Sequence, residues 1–377
     1  MTILIPAWSF YPSQEGGPSN ALYWLASGLA KAGYDVCVVT TNRCLEPGTV
    51  IENTWQKLNG FNVVYATVDK LSKYLEEKVP WCDIMIANGV CSLRDFRFNV
   101  KALRLGKKVV LSPRGELIDS AVYHKGKLYG LLKTMSFTVM RLAYGKKVLY
   151  HATSEDEIEY IRKYMGKNAR VVQIPNYMIL SEKVDERFVD CTRRYLLYVG
   201  RINHIKNIDI IIKGLAKSDL FLNSDYTFKI AGETGGDYYR SLLALVDELG
   251  LDGKVVFLGS VTGKEKDKLY AGARCLLLMS KSENFGNVIV EALSQGTPII
   301  ASKGTPWKQL SERGSGWWID ATPEQVSETV NKVLSLDEDG YAKMRENAFA
   351  YSREYDIYTN SGKWVEVIEN NCLSNTM

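Results

Sequence analysis

Twice along this chain, short runs rich in valine, isoleucine and leucine alternate with longer amphipathic stretches, and the alternation pauses once in between. The first series is ILIPAW (3–8), YDVCVVTT (34–41), FNVVYATV (61–68), DIMIANGV (83–90), KKVVLSPRG (107–115), VLYHATS (148–154) and RVVQIPN (170–176). Between the first two runs, Asn20–Ala32 carries apolar residues at helical spacing and stops before Gly33. After a polar segment, Ser181–Arg194, the pattern restarts with RYLLYVG, YTFKIAG, KVVFLGS, ARCLLLM and TPIIAS. Strand–helix alternation implies a mostly parallel sheet covered by helices. Two such series in 377 residues exceed what one core usually organises. They predict two α/β domains, 1–180 and 190–355, with a linker near 178–192 and an amphipathic segment, Ser352–Asn370, after the second sheet.

Several classes fall away. No apolar run approaches the roughly 20 residues that span a bilayer, and the start, MTILIPAWSF, reads as a strand rather than a signal peptide. The cysteines at 37, 44, 82, 91, 191, 275 and 372 are odd in number and never form a CxxC pair. That pattern favours reduced thiols in a cytoplasmic protein over a disulfide framework or a zinc site. Three histidines, His124, His151 and His204, make a histidine-built metal centre a poor expectation. Charge is uneven: residues 1–180 carry 23 Lys/Arg against 15 Asp/Glu, and residues 181–377 carry 24 against 28. Within 97–150 twelve bases face only Glu116 and Asp119, which suggests an anionic partner such as phosphates or an acidic membrane surface.

Ligands of open parallel sheets bind beyond the carboxyl ends of the strands. The residues just after the expected strands therefore carry most interest: Glu15–Gly17, Asn88–Gly89, Arg114–Gly115, Asn176, Gly200–Arg201, Gly232–Glu233 and Glu283–Gly286. No GxGxxG follows a strand, and GSVTGKE (259–265) is one residue short of a P-loop, so nicotinamide and P-loop chemistry are poorly supported. Gly16–Gly17 before a helix can bring bare amides and a positive helix end to a phosphate. In GRINHIK (200–206), Arg201 and Lys206 can address one anionic group, the arginine by a forked contact. In SENFGNVIVE (282–291), Glu283 lies before a helix expected from Asn287, and Glu291 lies about one turn inside it. Amides at such a helix start suit a phosphate, and the flanking carboxylates suit hydroxyl groups.

Together these motifs resemble, over nearly the whole chain, the GT-B glycosyltransferases of retaining family 4 (group 1). The family's E-x7-E is matched by Glu283 and Glu291 with Phe285–Gly286 between them, its diphosphate-binding strand end by Gly200, Arg201 and Lys206, and its glycine loop by Gly16–Gly17. SPRGEL (112–117), HATSEDE (151–157), GTPW (304–307) and GSGWW (314–318) look like the subset that builds bacterial surface polysaccharides, O-antigen and capsule among them. The resemblance implies two facing Rossmann-like domains with a central cleft: an acceptor-binding first domain, joined by a C-terminal helix about 356–377, and a donor-binding second domain. It implies a retaining, hexosyltransferase-type, metal-independent enzyme using a UDP or GDP sugar, with no cofactor. Arg201, Lys206 and Glu283 would be catalytic. Gly16, Gly17, Asn176, Gly232, Asn284, Phe285, Gly286, Asn287, Val288 and Glu291 would bind the donor, with Glu291 on the ribose. Asn88, Arg114 and Glu116 are acceptor-side candidates.

Two positions depart from the family. Asn88–Gly89 stands where many relatives have His-Gly, and Pro175–Asn176–Tyr177 where Pro-Asn-Gly is common. The resemblance further implies a glycan or lipid-linked acceptor, no nucleic acid, and cytoplasmic residence with peripheral attachment to the inner face of the plasma membrane. A catalytically silent GT-B protein that binds a nucleotide sugar or a partner protein is the alternative. The segment 123–147 bears on the membrane directly, because Leu128, Leu131, Leu132, Met135, Val139 and Leu142 fall along one side of a helix. That side fits a membrane surface and equally fits a core-facing helix with a solvated basic face.

Overall fold

A computed structural model describes residues 1–13, 17–185 and 194–373. The chain divides into two units, one made of Met1–Ile179 and the segment from Asp356 onward, the other of Leu180–Tyr355.

The first unit holds an eight-stranded sheet: β1 (Thr2–Pro6), β2 (Asp35–Thr41), β3 (Trp55–Leu58), β4 (Phe61–Ala66), β5 (Ile84–Asn88), β6 (Lys108–Ser112), β7 (Val148–Ala152) and β8 (Arg170–Gln173). Its order is β3-β4-β2-β1-β5-β6-β7-β8. Every pairing is parallel except β3 with β4. Of that edge hairpin β4 was expected and β3 was not; the hairpin turns at Asn59–Gly60, both with positive φ (45° and 91°), as a two-residue hairpin loop requires. Side chains alternate across the sheet. Leu4 and Met85 join one core with Phe98, Phe137 and Tyr144. Ile3, Ile5, Ile84 and Ile86 join the opposite core with Leu22, Leu25, Ile357, Trp364 and Ile368. The helix Gly17–Lys31, which starts three residues earlier than its periodicity predicts, and the terminal helix Gly362–Leu373 thus share one face of the sheet. A Cβ on Gly28 would stand 2.3 Å from the Ile357 side chain, so this helix meets the segment after Asp356 at its glycine.

The second unit holds six parallel strands: β9 (Tyr195–Val199), β10 (Thr227–Ala231), β11 (Val255–Gly259), β12 (Cys275–Leu278), β13 (Ile299–Ser302) and β14 (Gly316–Ile319). Their order is β11-β10-β9-β12-β13-β14. Numbered within the unit this is 3-2-1-4-5-6, the doubly wound arrangement whose order reverses between its first and fourth strands. The strands β4-β2-β1-β5-β6-β7 of the first unit repeat the same order. Each unit therefore has a switch point of its own, between β1 and β5 in the first and between β9 and β12 in the second.

Candidate functional site

At the second switch point the loops leaving β9 and β12 are fastened to one another. Lys281 N donates to Ile205 O at 2.7 Å. Asn207, in the left-handed region at φ 50°, donates from Nδ2 to Met279 O at 3.0 Å. The loop between is pinned by Tyr198 Oη donating to Arg201 O at 2.8 Å, and by the Asn203 side chain accepting from Ile205 N at 3.1 Å. The resulting single turn, His204–Lys206, delivers the Lys206 ammonium to the Glu283 carboxylate. Both side chains are largely screened, 15% and 18% exposed. Ser280 Oγ donates to the same Oε2 at 3.1 Å, and Glu283 N donates to Gly304 O at 2.9 Å. Arg201 stands exposed at the mouth of the loop.

The turn after Glu283 is built rigidly. Phe285 is buried with its ring against Trp307 (5.2 Å) and Tyr355 (5.8 Å), and the Trp307 indole donates to Phe285 O. Gly286 then adopts φ 84°, a left-handed conformation that suits glycine, and the helix Asn287–Ser294 begins. That helix has no acid in its first turn and takes no side-chain cap from Gly286. Its positive end is therefore not offset by its own first-turn residues. Asn284, Gly286, Asn287 and Val288 lie along this turn. On the same helix the Glu291 carboxylate accepts from Tyr270 Oη at 2.8 Å and pairs with Lys266 Nζ at 3.0 Å. Burial, with Glu291 adjacent, raises the Tyr270 hydroxyl well above its ordinary pKa, so it remains a donor. Gly232 lies after β10 where a Cβ would be 2.1 Å from Gly200 O; only glycine lets these two loops touch.

A second cluster lies in the first unit, around Arg114 after β6. This residue sits at φ 55°, uncommon for a side-chain-bearing residue. Its Nε donates to Asn88 Oδ1 at 3.2 Å and its Nη1 to Asn176 Oδ1 at 2.9 Å. Asn88 Nδ2 donates in turn to Pro6 O and Ile86 O, which fixes the way its amide points. Burial lowers Arg114 to about 10, with the Glu157 carboxylate working in the opposite direction. Glu157, itself buried, accepts from Gly115 N (2.9 Å), Thr153 N (2.7 Å) and Thr153 Oγ1 (2.9 Å). Nearby, His151 Nε2 meets Ile174 O at 2.8 Å and Nδ1 meets Ser112 Oγ at 2.7 Å. A carbonyl only accepts, so Nε2 carries the proton and Nδ1 accepts from the serine. Burial, with Arg114 close by, lowers His151 to about 3 and keeps it neutral. Its ring lies 4.7 Å from that of Trp364.

The sequence-predicted residues thus separate into two groups. Lys206, Glu283 and the stretch to Glu291 gather at one switch point. Asn88, Arg114 and Asn176 gather in the other unit, so Asn176, expected on the donor side, is bonded to an acceptor-side candidate. Glu116 is occupied in holding a loop: its Oε2 accepts from Val90 N at 2.6 Å and Cys91 N at 2.9 Å. Gly17 opens its helix, and Gly16 lies outside the described residues. Sequence reasoning missed Lys266, Tyr270, Glu157 and His151 as members of these clusters. Glu157 had a signal, since it stands three residues after a capping serine, and the Ser154 side chain does accept from Glu157 N. Among the described residues no three His, Cys, Asp or Glu side chains gather as a metal would need.

Residues 181–351 match the family described as glycosyl transferases group 1. An uncharacterized glycosyltransferase of Methanocaldococcus jannaschii is 26% identical over 364 residues, covering 89% of this chain and 89% of that protein. The D-inositol 3-phosphate glycosyltransferase of Mycobacterium sp. strain KMS is 30% identical over 172 residues, covering 44% of this chain and 37% of that enzyme. Among solved structures, HepE of Anabaena in complex with UDP-glucose is similar with a TM-score of 0.73 at 18% identity, covering 98% of this chain and 100% of that one. The last likeness shows the fold, two Rossmann-like α/β domains of GT-B type. The match over residues 181–351 and the glycosyltransferase relatives together make this chain a glycosyltransferase.

Proposed function

We propose that the chain moves a sugar from a nucleotide-sugar donor to a glycan acceptor carried on a lipid, with retention of anomeric configuration, in the assembly of a bacterial surface polysaccharide. The observation that carries the donor assignment is the Lys206–Glu283 pair beside the start of the helix Asn287–Ser294. An ammonium and an unoffset helix end suit a diphosphate, and a carboxylate held beside them suits sugar hydroxyls. The similarity of HepE, whose structure contains UDP-glucose, supports a nucleoside diphosphate sugar as the donor class.

In this reading Lys206 exchanges its carboxylate partner for the donor diphosphate, joined by Arg201, and releases Glu283 toward the transferred sugar. As the glycosidic bond breaks, negative charge grows on the departing phosphate, where Lys206, Arg201 and the amides after Gly286 are already placed. Preorganised donors of this kind commonly supply the largest share of catalysis. Glu291, aimed by Tyr270 and Lys266, accepts from the ribose hydroxyls. The leaving phosphate oxygen takes the acceptor proton on the same face, which gives retention. No divalent metal takes part, and full activity in EDTA is expected.

The deciding experiment is a panel of nucleotide sugars scored by thermal shift. A donor at 100 times its Kd stabilises a one-site protein by about 2.7 kcal/mol. At least one UDP or GDP sugar should raise the Tm of the wild type and fail to raise that of Lys206→Ala. No shift with any member, or an equal shift in both proteins, would remove the donor assignment.

A further inference from the structure

We propose that the helix Lys127–Tyr144 is a membrane-docking element that lies flat on an anionic bilayer. It is apolar on two opposite sides. One side is buried and carries Gly130, Phe137, Met140 and Tyr144, the last three within a core of the first unit. The other carries Leu128, Leu131, Leu132, Met135, Val139 and Leu142, which are 74%, 56%, 58%, 60%, 58% and 75% exposed. These are the six residues whose spacing also allows a core-facing stripe; the core has taken the other side, so that alternative is closed. Apart from the adjacent Leu131 and Leu132, the steps between them are three or four residues, so all six form one continuous stripe along the helix. A helix on the surface of a soluble domain turns charged and polar groups outward, and six large apolar side chains in one exposed row form a patch that marks an interaction surface.

The charges around the stripe select the occupant. Lys125 and Lys127 flank its first turn, and Arg141, Lys146 and Lys147 its last, all exposed. No Asp or Glu occurs between Ser120 and Ser154. Cations at both ends of an apolar row match headgroups on either side of a shallowly inserted helix lying in the interface plane. The row is short for spanning, and no described helix is long and apolar enough to cross a membrane. A protein partner binding the same row would need acids opposite five cations, and a second copy of this chain would place those cations against one another. The docking itself is independent of the transferase reading. Joined to it, the docking gives that enzyme an acceptor class, a glycan on a lipid carrier held in the same surface.

The test is co-sedimentation of the full-length protein with vesicles of phosphatidylglycerol and phosphatidylcholine, and with vesicles of phosphatidylcholine alone. Wild type should partition onto the anionic vesicles at least tenfold more strongly than onto the neutral ones, and raising the salt should release it. The double variant Leu131→Glu/Met135→Glu, whose positions are solvent-facing and leave the core untouched, should lose at least tenfold in partitioning with unchanged circular dichroism. Lys146→Gln/Lys147→Gln should also weaken partitioning, by up to about 25-fold, because each juxtamembrane cation contributes about a fivefold factor. Equal binding by wild type and the Leu131/Met135 variant would overturn the proposal, as would no binding of wild type to anionic vesicles. So would a wild-type dimer in solution that the same variant dissociates with no change in vesicle binding. Transfer to a water-soluble acceptor, measured in parallel, reads the catalytic assignment separately: a variant that stops docking should keep that activity.

Discussion

The two units share a strand order and use it differently. In the second, the switch point presents an ammonium and a carboxylate to each other with little else between them. In the first, the loop after β6, one strand away from the switch point, presents a guanidinium that bonds the neutral amide oxygens of Asn88 and Asn176, with a neutral histidine and the Glu157 carboxylate nearby. Opposite charges in such a pair can change partners when a charged ligand arrives. A buried cation held by two fixed amide oxygens, beside a carboxylate that backbone amides already hold, is instead fixed in place. The order of strands positions loops, and the chemistry of the loops decides whether the result is a site that exchanges partners or a frame that holds.

Four measurements press on this contrast. If the second switch point is the exchanging one, Lys206→Ala and Glu283→Ala should each lower kcat by about 10²–10³ while circular dichroism stays unchanged; near wild-type turnover in both would erase the distinction. Arg114→Lys tests the frame. It keeps the charge and loses the forked contact, which leaves Asn88 and Asn176 poorly partnered at a cost of about 1–3 kcal/mol. A lowered Tm with nucleotide affinity intact is expected, and a loss of affinity alone would show Arg114 to be part of the exchanging site. Glu291→Gln should raise KM for the donor about tenfold, the low end of a hydrogen bond to a charged group, with kcat within a few-fold; a fall confined to kcat would contradict its place on the ribose.

The smallest effect is in acid stability. His151 is held near 3 in the folded chain, whereas an unfolded histidine takes a proton below about 6.5. Its contribution is therefore complete above pH 6.5 and is lost progressively as pH falls toward 3. Between pH 6.5 and 5.5 the loss amounts to roughly 1 kcal/mol. His151→Gln should flatten that part of the Tm-versus-pH curve; an unchanged slope would show that the histidine does not carry it.

Much of the fold could be read from residue order because its signals are local. Alternating runs gave parallel strands, and among the strand ends of interest are Asn88 and Gly200–Arg201, which the strand order sets at the two switch points. The strand β3 escaped because WQKL is polar and sits at an edge, although the Asn59–Gly60 pair marks its turn. Residue spacing also placed Glu283 before a helix and Glu291 within it, as observed. What it did not show was pairing. Lys206 and Glu283 are 77 positions apart, and each was read as facing the donor rather than its partner. Arg114 and Asn176 are separated by 62 positions and were given to different ligands. Lys266 and Glu291 likewise meet only because two helices lie together, which no periodicity encodes.

The placement of Ile357, Trp364 and Ile368 in a core built mainly from residues before 180 has a consequence for how the chain comes into being. On the ribosome the first unit is begun before the second and completed after it. Its sheet emerges with one face covered only in part, by the helix Gly17–Lys31, the second unit follows, and the segment from Asp356 onward brings the rest of the covering side chains. Loss of the segment from Asp356 onward would therefore damage the first unit, leaving part of an apolar sheet face open on a chain whose second unit had been translated in full.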